Sequence, residues 1–138
     1  MTTLNDLRDE ALRIAVEHGF KDATIGEDTA LMHSELSEAL EDHRAGKGPT
    51  DVWYEEKNSQ SAAPYEGSVT IVTTVTRYDR QRHDGPLRKP CGIPSEMADV
   101  IIRALHFCGK HGIDIDAAVR EKMAYNDSRP FKHGGKAI

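Results

Sequence analysis

Residues 95–108 read SEMADVIIRALHFC, and nine of these fourteen positions are apolar. Pro94 and Ser95 stand at the start and Gly109 just past the end, which is the punctuation of a helix. Helical spacing gathers Glu96, Asp99, Arg103 and His106 on one narrow stripe and leaves the rest of the circumference apolar. A helix that is apolar nearly all round belongs in an interior. The segment therefore predicts the central, buried helix of a mainly α protein.

Three further helices follow on either side. Leu4, Leu7, Ala11, Ile14 and Ala15 recur at spacings of three and four before His18-Gly19, predicting a first helix over 4–18. Thr24 and Glu27 have the spacing of a capping box, and no proline or glycine interrupts 27–44, the second helix. Asp114 can cap a last helix running to about Asn126, which Pro130 and Gly134-Gly135 prevent from continuing. Between the second and third helices lie five of the six prolines and five of the eleven glycines. Within that stretch Gly67–Tyr78 (GSVTIVTTVTRY) is rich in β-branched residues and reads as a strand, pairing with Val52–Glu55. The expected architecture is a four-helix-type bundle, a single domain over 1–138, with 48–90 inserted as a long loop or β-hairpin. An unpaired Val/Ile/Thr strand is an open edge, so the insertion is also a candidate for pairing between subunits.

Composition limits the function classes. The chain has 138 residues, with Lys+Arg 18 against Asp+Glu 23 and a formal charge of −5. Binders of duplex nucleic acid draw affinity from neutralising phosphates, so this balance argues against them. No apolar run approaches the ~20 residues of a membrane span, and Met1–Glu10 is polar and acidic where a signal peptide is basic and then apolar. Two cysteines, Cys91 and Cys108, make no disulfide framework. A cytoplasmic protein is expected. Cys91, His106, Cys108 and His111 match no usual zinc spacing, and no phosphate-cradling G-x-x-x-x-G-K-[ST] is present. Arg77, Arg80, Arg82, Arg88 and Lys89 read as a solvated basic stretch of the insertion.

The acids carry the chemistry. Glu35 and Glu38 on the second helix, and Glu96 and Asp99 on the third, are each spaced i, i+3, which puts both members of a pair on one face. On the second helix Glu35 falls between Leu31 and Ala39, inside the apolar arc that also holds Met32, Leu36 and Leu40, with Glu38 at its rim. If the two stripes face each other, four carboxylates meet in a partly buried site. Like charges and desolvation both oppose ionisation there, so the acids need a counter-charge. Arg103 is the structural answer. A hard divalent cation is the chemical one, since oxygen-only ligands suit Mg²⁺ or Mn²⁺.

The segments SELSEALEDHRAGK (Ser34–Lys47) and GIPSEMADVIIRALHFCGKHGIDIDAAVREKMAYNDSRPFKHGGK (Gly92–Lys136) resemble the MazG-like all-α nucleoside triphosphate pyrophosphohydrolases, a family marked by E-x-x-E on one helix and E-x-x-D on the next. The resemblance implies an α-helical bundle, a dimer or tetramer, that hydrolyses a nucleoside triphosphate to monophosphate and pyrophosphate. Mg²⁺, with Mn²⁺ as the other candidate ion, would be held by Glu35, Glu38, Glu96 and Asp99. Lys122 and Asn126, i, i+4 on the last helix, are candidate substrate contacts, as are Arg129, Lys132 and Lys136. Trp53 and Tyr54 in the insertion are candidates to stack on a base. The rival reading is a non-catalytic helical module that binds a nucleotide or a partner protein through the same cleft.

Overall fold

The computed structural model describes residues 1–20 and 22–130. It contains α1 (Leu4–Glu17), α2 (Ile25–Arg44), β1 (Trp53–Ala62), β2 (Thr70–Tyr78), β3 (Lys89–Cys91), α3 (Ile93–Lys110) and α4 (Ile115–Ser128). All four expected helices are present, and the boundaries follow their caps. Thr24 Oγ1 accepts from the Glu27 amide at 3.2 Å while Glu27 reaches back to the Thr24 amide, so α2 starts directly after the Thr24 cap. Asp114 caps α4 by accepting from the Ala117 amide at 3.0 Å.

The mainly α, four-helix-type bundle is not what forms. Helix takes 51% and strand 17% of the structure, which is a mixture of helices with a three-stranded antiparallel sheet of order β2-β1-β3. The reason lies in the insertion. β1 and β2 pair at nine positions from Tyr54↔Tyr78 to Ala62↔Thr70, so the β-branched run recruits the polar segment Asn58–Ser61 as its partner. β3 then adds to the other edge of β1 through Trp53↔Cys91 and Glu55↔Lys89.

The described chain forms two compact units, one of His33–Val100 and the other of the segments on either side. In the flanking unit α1 packs on α4. Asn5 on α1 satisfies the start of α4: its Oδ1 accepts from the Ile115 and Asp116 amides at 3.0 and 3.3 Å, and its Nδ2 donates to Asp114 at 2.9 Å. Lys110, at the end of α3, donates to the Ala23 carbonyl and to Asp28 at 2.8 and 2.9 Å. Replacing Asn5 by alanine orphans two α4 amides and is expected to cost about 1–2 kcal/mol in urea unfolding.

Helix α3 also departs from expectation. Only Leu105 and Cys108 are buried on it, and Ile101 and Ile102 stay about half exposed at 56% and 50%. Its apolar circumference exceeds what one chain covers. Among the described residues, no helix is long and apolar enough to cross a membrane.

Candidate metal centre

Helix α2 buries one face of its central turns, and the residues it buries are Glu35 and Ala39. Leu36 and Leu40, one position on from each, remain 45% exposed, so the carboxylate goes inside while the leucines stay out. Against it comes Glu96, in the first turn of α3. One carboxylate oxygen from each of Glu35, Glu38 and Glu96 lies within 4.8 Å of the other two. Glu35 is buried, Glu96 half-buried and Glu38 exposed. All three belong to the His33–Val100 unit.

The electrostatics of this cluster centre on Glu96. A first-turn position favours an ionised carboxylate through the helix dipole. Burial outweighs it: desolvation, then a hydrogen bond and charge from Glu38, then Glu35 and the Asp99 charge, push the Glu96 carboxyl up to about 7. Its Oε2 is buried with no hydrogen-bond partner. A buried carboxylate oxygen with no hydrogen-bond donor against it, on a side chain that meets two other acids, fits a cation. The donor set is oxygen only, which suits a hard divalent ion rather than zinc. Asp99 is exposed and lies outside the group whose oxygens meet, contributing its charge to Glu96 from nearby.

The other candidate residues are distributed more widely. Trp53 and Tyr54 are neighbours on β1 and so point to opposite faces of the sheet. Trp53 is 7% exposed, donates its indole N–H to Glu55 at 3.2 Å, and has Lys47 Nζ and the Arg77 guanidinium at 5.0 and 4.7 Å from its ring centre. Tyr54 is half-buried on the other face. Lys122, Asn126 and Arg129 lie on or just past α4, in the flanking unit, where Lys122 and Arg129 stand 5.2 and 5.5 Å from the Tyr125 ring. Lys132 and Lys136 lie outside the described residues.

The basic stretch is not simply solvated. Arg82 and Arg88 both turn onto Glu56, Arg88 Nε at 3.0 Å, and Arg88 also stacks 3.4 Å from the Tyr78 ring centre. The Arg88 hydrogen bond is the main cause that lowers the Glu56 carboxyl below its ordinary range. A cleft of about 500 Å³ opens beside these residues, lined by Lys57, Asn58, Pro86 and Leu87 and by none of the clustered acids. Sequence spacing gives no hint of these partners, which meet across the sheet. Both thiols are buried, and desolvation pushes Cys91 up to about 11, so it is protonated at neutral pH. No family model, curated protein or solved structure matches the chain.

Proposed function

We propose that the protein hydrolyses nucleoside triphosphates to nucleoside monophosphate and pyrophosphate in the cytoplasm, with Mg²⁺, or Mn²⁺ in its place, as cofactor. The observation that carries this reading is the meeting of Glu35, Glu38 and Glu96, with a buried oxygen of Glu96 left without a hydrogen-bond partner. These three acids would hold the ion, and Asp99 adds its negative charge from outside the group. When bound, such an ion polarises phosphate oxygens and lowers the pKa of a water. The protein's own part is to keep the ligands together in a place where water cannot freely screen them, and to supply positive charge for the phosphates. Tyr54, in the same unit as the acids, is the proposed substrate contact, whereas Lys122, Asn126 and Arg129 belong to the flanking unit. The resemblance of the two acid motifs to the MazG-like family supports the same chemistry. Apolar residues left exposed beside the acids, Leu36, Leu40 and Met97, support a homo-oligomer.

A panel of natural and modified nucleoside triphosphates, incubated with Mg²⁺ or Mn²⁺, is expected to yield monophosphate and pyrophosphate in equal amounts from at least one member. Chelation is expected to stop the reaction. Failure of every triphosphate to release pyrophosphate overturns the enzymatic reading and favours the non-catalytic module that binds a nucleotide or a partner protein.

A further inference from the structure

The acid cluster creates an electrostatic problem for its own substrate. Three carboxylates stand where a polyphosphate has to dock, and a divalent ion offsets only part of the combined negative charge. Cations nearby have to supply the remainder. Within the His33–Val100 unit several are already committed: Arg44 pairs with Glu41, and Arg82 and Arg88 pair with Glu56. Lys47 and Arg77 have no carboxylate within ion-pair distance among the described residues, and both converge on one ring, Trp53.

The sheet explains why they meet. Trp53, Glu55 and Lys57 point to one face of β1, joined there by Arg77 opposite Glu55, and by Cys91 and Lys89 from β3. That face carries Lys57, Arg77 and Lys89 against Glu55 alone, and Lys47 reaches it from the loop after α2. It also adjoins the acids. A Cβ on Gly92 would stand 3.2 Å from the Trp53 ring, and the Glu96 amide donates to the Gly92 carbonyl at 3.1 Å, one turn along α3. The Asp42 charge, one turn past Glu38 on α2, contributes to raising the Cys91 thiol on this same face. Only about 6 Å of helical rise separates the ring's contact at Gly92 from Glu96.

Resting on the pyrophosphohydrolase reading of the acid cluster, we propose that Lys47 and Arg77, both held against Trp53, form the subsite for the phosphate groups that project beyond the metal. Trp53 is the pedestal: at 7% exposure it offers its ring to the two cations rather than to a base. A lysine point charge and a forked guanidinium can together follow a flexible polyphosphate chain.

Trp53 is the chain's single tryptophan, so its emission reports on this subsite directly. Inorganic tripolyphosphate titrated into the protein with Mg²⁺ is expected to give a saturable change in that emission. Lys47→Met and Arg77→Gln are each expected to weaken the apparent affinity about tenfold, while Lys47→Arg and Arg77→Lys, which keep the charge, are each expected to lose less than the neutral variant at the same position. The shift in melting temperature caused by Mg²⁺ alone is expected to be the same in all five proteins, which shows that the variants fold and that the acids are untouched. Wild-type affinity in the methionine and glutamine variants, or no saturable change in the wild type, overturns the subsite. If the titrations behave as expected but no nucleoside triphosphate releases pyrophosphate, the phosphate subsite stands and the hydrolytic reading falls.

Discussion

Glu96→Gln is expected to raise the melting temperature of the metal-free protein above pH 7, and to abolish both stabilisation by Mg²⁺ or Mn²⁺ and pyrophosphate release. The folded protein holds the Glu96 proton more tightly than the unfolded chain does, with a carboxyl pushed up to about 7 from an ordinary 4.5. The native state therefore binds more protons than the unfolded state between those values, and stability falls as pH rises through that window. Glutamine keeps the shape and carries no charge to desolvate, so the variant escapes this loss. Below about pH 4.5 the two metal-free proteins are expected to melt together, because both are neutral at position 96.

Metal reverses the order. In the wild type, binding displaces on the order of one proton below pH 7 and stabilises the native state, by about 2.7 kcal/mol when the free ion exceeds its Kd about a hundredfold. The glutamine variant presents a weaker ligand and is expected to gain little. Its turnover is expected to fall at least a hundredfold, a loss of about 2.7 kcal/mol of transition-state stabilisation. Calorimetric scans at several pH values, with and without metal, and a pyrophosphate assay check all three effects. Equal metal stabilisation in the two proteins removes Glu96 from the site.

Local patterns in the sequence carried the helices and one half of the site. The 3.6-residue period places Glu35 in the apolar arc of α2 next to Ala39, and both are buried. The Thr24–Glu27 box and the Asp114 cap are short-range signals, and they mark where α2 and α4 begin. What the sequence withheld is non-local. Asn58–Ser61 has no strand signal of its own and becomes part of β1 only because Ile71–Thr74 lies opposite. Lys89–Cys91, which includes a proline, is a strand only through Trp53–Glu55. Arg82 and Arg88 reach Glu56 across 26 and 32 residues of chain, so no spacing rule predicts that they leave solvent. The apolar girth of α3 was legible, yet its burial depends on what stands against it, and the described chain covers Leu105 and Cys108 while leaving Ile101 and Ile102 exposed. The i, i+3 spacing of Glu96 and Asp99 likewise fixes their separation along α3, whereas the approach of each to α2 depends on how the helices cross.

Gly92→Ala is expected to destabilise the fold by about 3 kcal/mol or more and to take the site with it. Gly92 joins β3 to α3 with φ at +112°, in a region that side chains rarely adopt. A Cβ there would lie 2.2 Å from the Asp51 carbonyl oxygen and 3.2 Å from the Trp53 ring. Neither neighbour yields easily. Asp51 is tied back to Gly48 by its own amide at 3.1 Å and by its carboxylate at 2.7 Å, and Trp53 is fixed opposite Cys91. Strain in the backbone and overpacking therefore add at one position. Because the Gly92 carbonyl anchors the Glu96 amide, any relief moves the first turn of α3 and with it the Glu96 carboxylate. Metal stabilisation, pyrophosphate release and the emission of Trp53 are expected to change together. Gly112→Ala is the matched control: φ is +64° there, but nothing lies within 4 Å of the added Cβ. It is expected to cost only about 1 kcal/mol and to leave activity intact. A Gly92 variant as stable as the Gly112 variant would mean that the close approach of Asp51, and the placement of Glu96 that depends on it, is wrong.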